Sequence, residues 1–317
     1  MYFSIITNQI LILAFLAIIG VIATKFNVIS EEVKNSIAKI VFNITLPALI
    51  IASVTHVELN HELLYNSLLV FILSNIGIIL LFTTGRISRK ILNIKGKKGN
   101  IHVIHTMLGN VAFLGYPLFS ALFPGGEGLF YAVIFHLTQD IYIWTVGVYE
   151  FNNSKDLSFK ESLKHLINPN IIAFIIGIVM LVFGLKIPEY FDATVSGLGK
   201  TTIYLAMLYI GAVLAQNPMI TAFKKPEIYM LIFNKMFFIP FILLLIINLA
   251  SSLFGIHIGN IAKTVVVMQT AMPCMAMVVV LAKKFGSDDV HATENLFLST
   301  IISLASLPFI YFIVQIF

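Results

Sequence analysis

The chain has 317 residues, of which 59% are apolar and 11% charged, with a formal net charge of +5 and a mean hydropathy of +0.96. Soluble domains carry about 25% charged residues, and nothing here could cover so much apolar surface in water, so a soluble α/β fold, a disulfide-stapled secreted domain and a disordered regulator are excluded. Since roughly 20 apolar residues cross a bilayer, ten spans would use about 200 residues and leave short loops without a separate soluble domain.

Apolar runs between polar breaks predict ten spans. The first, 5–24, follows Met1-Tyr2-Phe3-Ser4 with no basic region or small-residue cleavage pattern, so it is read as a retained helix. The second, 37–55, contains Asn43-Ile44-Thr45-Leu46-Pro47, and the third is 63–84. The fourth, 101–122, carries Gly109-Asn110-Val111-Ala112-Phe113-Leu114-Gly115-Tyr116-Pro117, and the fifth, 128–148, carries His136, Gln139 and Asp140. The sixth, 169–187, opens on Asn168-Pro169-Asn170; the seventh is 200–220; the eighth, 228–252, holds Lys235 and Pro240. The ninth, 262–282, holds Gln269 and Ala271-Met272-Pro273, and the tenth, 291–315, holds Glu294, Leu298-Ser299-Thr300, Ser303 and Pro308. Unbroken runs of this length without strict alternation point to helices and not to a barrel.

The loops are asymmetric in charge. Loops one, three, five, seven and nine with the span ends that adjoin them hold 16 of the 20 Lys and Arg, including Lys95, Lys97, Lys98, Lys155, Lys160, Lys164, Lys224, Lys225, Lys283 and Lys284, whereas the opposite loops with their span ends hold Lys186, Lys200 and Lys263. The positive-inside rule then makes the odd loops cytoplasmic and puts both termini outside a multi-pass protein of the cell membrane. The basic excess is a topology signal and speaks against a nucleic-acid partner; lipid is the implied surroundings. Cys274 lies in an apolar run, so no disulfide forms within the chain.

Five spans per half require any internal repeat to be inverted across the membrane. The expected halves are 1–148 and 169–317, joined by a cytoplasmic linker at 149–168. Ile18-Ile19-Gly20 followed by Phe26 is echoed by Ile175-Ile176-Gly177 followed by Phe183. Pro273 lies about 17 Å into its span, and the Gly109 to Pro117 segment runs from about 12 to 24 Å, so both straddle the midplane of a core ~30 Å thick. Proline removes a donor and glycine lets the chain unwind, which frees backbone groups that lipid cannot satisfy. Broken midplane helices present half-helix N-termini that suit an anionic group. Pro240 and Pro308 are expected only to kink their helices.

These motifs, in this order over nearly the whole chain, resemble the auxin efflux carrier family, bacterial relatives of the plant PIN-FORMED carriers within the bile-acid, arsenite and riboflavin transporter group. The resemblance implies an all-α membrane protein of two inverted five-helix repeats. Spans 1, 2, 6 and 7 would form a scaffold, able to pair into a homodimer, and spans 4 and 9 would cross at their breaks in a transport unit that shifts like an elevator. Asn110 and Pro117 match the first crossing and Pro273 the second. The implied substrates are small organic anions, auxin-like or dicarboxylate. The long central loop of many plant members is absent here.

Substrate is therefore expected beside Gly109, Asn110, Val111, Pro117 and Pro273, with Asn43, Thr45 and Gln269 as neutral polar groups near the same plane. Asp140, with His136 one turn earlier and Gln139 beside it, is either a coupling site for Na⁺ or H⁺ or a structural pair with Lys235 or backbone N–H. Lys235, about 10 Å deep, is expected to snorkel to the surface, and Glu294 to cap its helix or sit in headgroups. No cofactor and no metal are expected. His102 and His105 lack an acidic partner at zinc-hydrolase spacing, and the chain carries no P-loop and no G-x-S-x-G, so no enzyme is expected. A secondary carrier is the favoured reading; an anion channel or facilitator and, less so, an intramembrane enzyme are the alternatives.

Overall fold

The computed structural model describes residues 2–152, 168–185, 188–216 and 220–317. Among them every regular element is helical, and the only β-type pairing is an isolated antiparallel bridge between Gly109 and Cys274. The principal helices are α1 (Tyr2–Lys25), α2 (Glu31–Thr55), α3 (His61–Ile91), α4 (Gly96–Met107), α5 (Val111–Leu122) and α6 (Glu127–Phe151). They continue as α7 (Pro169–Val182), α8 (Glu189–Gln216), α9 (Pro226–Phe254), α10 (Asn260–Thr270), α11 (Ala276–Lys284) and α12 (Asp289–Ile316). Seven of the described helices, α1, α2, α3, α6, α8, α9 and α12, are long and apolar enough to cross a membrane. The fourth and ninth predicted spans are interrupted, and the sixth is the 14-residue α7. Most of the linker expected at 149–168, with Lys155, Lys160 and Lys164, lies outside the described residues, as does Lys186.

Proline shapes the helices without ending them. Wide π-type turns occupy Val41–Thr45, Val111–Gly115 and Asn234–Phe238, each two residues ahead of a proline, Pro47, Pro117 or Pro240. A proline supplies no N–H to the carbonyl four residues back, and the wider turn re-spaces the ladder around the missing donor. Leu46 N–H accordingly reaches back five residues to Val41 O, and Ile239 N–H to Asn234 O. Pro308 sits inside α12, which runs on through it.

The chain divides into two compact units, and the division falls inside α3 and α6 and just after Val111. Unit 1 comprises Met1–Leu68, Ala112–Ile134 and Ile167–Pro218, and so contains α1, α2, α7, α8 and all of α5 but Val111. Its helices meet at glycines. A Cβ on Gly20 would stand 2.5 Å from Leu208 O of α8, and one on Gly211 would strike Ala17 O of α1 and come within 2.8 Å of Gly20 Cα. In the same way Gly177 of α7 lies against Val54 of α2, and Gly199 of α8 against Leu49. Lipid is as apolar as leucine, so helices there gain by bringing backbones close, and small residues permit it. Phe15 and Phe183 remain exposed on the outer faces, as lipid-facing residues should. Asn168 caps α7 by accepting from Asn170 N and Ile171 N at 3.0 and 3.2 Å, with Pro169 at the first helical position.

Unit 2 comprises Leu69–Val111, Phe135–Leu166 and Met219–Phe317. At its centre α4 is buried from Gly99 to Met107 although the stretch includes Asn100, His102, His105 and Thr106. A buried helix this polar needs partners. Asn100 Nδ2 donates to Glu150 O at 2.7 Å, the Glu150 carboxylate pairs with Arg86, and Thr106 Oγ1 donates to His102 O at 2.7 Å. Gly85 lets α3 approach α4, with an added Cβ only 3.0 Å from Thr106 Cβ.

Candidate functional site

Both interruptions lie in unit 2 and are paired to each other. After α4 the backbone is extended through Leu108, Gly109 and Asn110; after α10 it is non-helical through Ala271 to Met275. Asn110 N donates to Pro273 O at 2.7 Å, next to the Gly109 to Cys274 bridge. Pro273 cannot donate, so its carbonyl is what it can offer, and Asn110 takes it. A Cβ on Gly109 would stand 3.2 Å from Met272 Cβ, which explains glycine at the point where the two strands touch.

Each break leaves backbone groups that helices would have paired, and a side chain from another helix pairs them. Gln139 of α6 clasps Gly109 from both sides: Gly109 N donates to its Oε1 at 2.8 Å, and its Nε2 donates to Gly109 O at 3.0 Å. Ser299 of α12 does the corresponding service for the second break, accepting from Cys274 N at 3.0 Å. Beyond the breaks α5 and α11 begin, and their first N–H groups concentrate partial positive charge at the crossing.

Around this backbone stand three kinds of polar side chain. Asn110 is 3% exposed, and its side-chain amide bonds none of the described residues. Lys235 of α9 is fully buried, and its Nζ donates to Thr106 O at 3.2 Å and lies 3.5 Å from where a Gly109 Cβ would be. Among the described residues it forms no ion pair. The expectation that Lys235 snorkels outward is thus overturned: the side chain is fully buried and Thr106 of α4 offers a carbonyl inside, so the ammonium turns toward the crossing. His136 Nε2 lies 3.4 Å from Asp140 Oδ1, one turn apart on α6 and both buried.

The remaining sequence-predicted residues separate. Val111 starts α5 at the end of the first break, and Gln269 is buried in the last turn of α10. Pro117 stands inside the helical α5, and it belongs to unit 1 together with Asn43 and Thr45. Asn43 is exposed and donates to Lys39 O of its own helix at 2.9 Å; Thr45 is buried, its Oγ1 bonded to none of the described residues. Glu294 neither caps its helix nor meets headgroups. Asp288 caps α12 by accepting from His291 N, while Glu294 is buried against Lys225 Nζ at 2.5 Å and Thr221 Oγ1 at 3.1 Å. The reason is local: a carboxylate one full turn inside the helix is past the open N–H groups and must find a cation instead.

Sequence reasoning passed over the clasping roles of Gln139 and Ser299 and the burial of Lys235. A signal existed for the last, since a lysine seven residues into an apolar run is costly wherever it points. No such signal marks Gln139, whose partner is a backbone amide.

The membrane transport protein family matches this sequence over residues 5–311. An uncharacterized transporter of Methanocaldococcus jannaschii is 26% identical over 308 residues, covering 94% of this chain and 95% of the relative. An uncharacterized transporter of Methanothermobacter thermautotrophicus is 24% identical over 305 residues, covering 95% and 96%.

Proposed function

The chain belongs to the membrane transport protein family, that of the auxin efflux carriers, and from this premise we propose that it is a secondary carrier of a small organic anion. The observation that carries the anion reading is Lys235: a buried ammonium without an ion-pair partner among the described residues, beside a backbone crossing where two helices begin. A buried charge is expensive unless something compensates it, and a carboxylate at the crossing would do so. Asn110, buried and unengaged, supplies a donor for that carboxylate, with Gly109, Val111, Pro273 and Gln269 framing the place. Asp140 with His136 is the coupling site for H⁺ or Na⁺ in this reading.

Several pairings support two inverted five-helix repeats and ten spans, with α4 and α5 counted as one crossing helix and α10 and α11 as the other. Exchanging first span for sixth and second for seventh turns the Gly20 contact between α1 and α8 into the Gly177 contact between α7 and α2. Exchanging fourth for ninth and fifth for tenth turns the Gln139 clasp on Gly109 into the Ser299 bond to Cys274. Unit 1 holds the first, second, sixth and seventh spans together with α5, and unit 2 holds the point where the two broken backbones meet; in this reading the crossing carries the anion in an elevator-like shift while the first, second, sixth and seventh spans, alone or as a homodimer, stay fixed. With both termini outside in the cell membrane, the lysine-rich loops face the cytoplasm.

Reconstituted liposomes loaded with malate, malonate or indole-acetate test the reading. Saturable uptake that is stimulated by substrate on the far side is expected. Fast ohmic anion current without trans-stimulation would instead make it a channel, and no flux of any of the three would withdraw the anion class.

A further inference from the structure

Three imidazoles of unit 2 have so far been given no role. His102 and His105 lie on α4 and His291 in the first turn of α12; all are buried, and His291 is near enough to act electrostatically on both of the others. Their partners assign their tautomers. Ser88 Oγ donates to Gly85 O at 3.1 Å, so at 2.8 Å it accepts from His102 Nε2. Met275 O can only accept, so His105 Nε2 donates to it at 3.3 Å. The Glu294 carboxylate accepts from His291 Nδ1 at 3.4 Å.

Each ring therefore turns a bare, basic nitrogen away from its protein partner. These are Nδ1 of His102, Nδ1 of His105 and Nε2 of His291, and all three are buried and bonded to none of the described residues. The Asn295 amide, fully buried on α12, is in the same condition at both Oδ1 and Nδ2. A single unmet acceptor is tolerable in a core; three acceptors and a whole amide in one neighbourhood require donors from outside the protein.

Their placement forms a line. His291, Asn295 and Ser299 follow at i, i+4 and i+8 on one face of α12, about 12 Å of helix, and Ser299 accepts from Cys274 N at the crossing. His102 and His105 follow at i and i+3 on α4, and His105 reaches Met275 O, the next residue of the same break. Both rows start at the end of unit 2 marked by Lys98 and Lys284. Glu294 on α12, Asp288 at its N-terminal cap and Lys98 on α4 act on His291; Glu227 of α9, Arg89 of α3 and Lys98 act on His102; Lys235 of α9 acts on His105.

We propose that His291, His102 and His105, together with Asn295 and Ser299 of α12, form a hydrated proton track from the lysine-rich end of unit 2 to the crossing. A proton from bulk water adds to the bare nitrogen of His291, whose imidazolium the Glu294 carboxylate stabilises. It leaves by the same nitrogen to water and passes in turn to Nδ1 of His102 and Nδ1 of His105. The N–H bonds to Ser88, Met275 and Glu294 stay made throughout, so nothing in the wall breaks as protons move. The purpose of the track, delivering H⁺ to an anion carrier, rests on the reading above; its existence does not.

Nitrogen-15 NMR of histidine-labelled full-length protein in lipid nanodiscs tests it, with signals assigned by H102Q, H105Q and H291Q, or by Asn at any position where Gln fails to fold. As the pH falls, each bare nitrogen should lose its unprotonated resonance, and throughout it should exchange with water. In liposomes containing a pH-sensitive dye, H102Q should slow proton entry driven by malate, malonate or indole-acetate at least tenfold, with counterflow of the same anion within twofold of the unmodified protein. Three imidazoles that neither titrate nor exchange overturn the track and leave the carrier reading standing. Imidazoles that titrate in a protein moving none of the three anions uphold the track and sink the carrier reading.

Discussion

Unit 1 and unit 2 are built from similar lengths of apolar helix, yet they hold together by different means. In unit 1 the joins are glycines pressed on backbone, at Gly20 and Gly211, Gly177 and Gly199. In unit 2, where Gly85 also meets Thr106, the breaks are held by side chains reaching backbone: Gln139 on Gly109 and Ser299 on Cys274. Close packing at glycine needs no polar group and tolerates no larger residue. Polar bridging does the reverse, since it keeps irregular backbone inside a membrane by satisfying it and leaves chemistry at the join. The difference teaches where rigidity and where chemistry reside in a chain whose composition is nearly uniform.

The sharpest way to break this contrast is Gly211→Ala. The new methyl group would meet Ala17 O and the Gly20 backbone, neither of which can rotate away, so stability should fall by about 3 kcal/mol. Gly197→Ala, in open space on the same helix, should leave the melting temperature in detergent unchanged or slightly raised. Equal melting of the two variants would end the claim that unit 1 depends on glycine contacts.

Next in size comes Gln139→Leu, which strips both bonds from Gly109 and leaves a buried N–H and C=O unmet, for a loss of roughly 2 to 3 kcal/mol. A melting curve superimposable on that of the parent protein would mean Gly109 finds other partners. Lys235→Met keeps the stem and removes the charge. It should fold as well as the parent or better, because burying an unpaired ion is unfavourable, while carboxylate affinity falls at least tenfold, or about 1.4 kcal/mol. Retained affinity in that variant would remove the main support for an anion.

Asn110→Ala should cost about 1 kcal/mol of binding free energy with little change in melting, checked by titrating the transported anion against purified protein. Smallest in stability is Asp140→Asn, which preserves shape and removes titration. The variant should still exchange anion across liposomes and fail to concentrate it, and unchanged accumulation with unchanged pH and Na⁺ dependence would make the carboxyl structural.

The breaks themselves were legible before any coordinates, because glycine and proline write backbone behaviour directly into the chain. Their extent was less so. Pro117 belongs to the first glycine-rich motif in sequence, yet a wide turn at Val111–Gly115 absorbs it and the helix resumes, whereas Pro273 stands in the open segment itself. Local sequence says that a donor is missing; whether the chain unwinds or merely widens depends on what lies beside it to accept the loose groups.

Composition and hydropathy are sums along the chain, so the sequence by itself determined that this is a helical membrane protein, where most of its helices run and which motifs mark its family. Polar side chains obey a different rule, since a hydrogen bond or ion pair needs two groups in one place. Gln139 and Gly109 are 30 residues apart and Lys235 and Thr106 are 129. Only the tertiary structure decided that Lys235 turns inward, that Gln139 clasps a broken backbone, and that three histidines and an asparagine of α4 and α12 are buried with atoms bonded to none of the described residues, because each outcome depends on which neighbour the fold brings within about 3 Å.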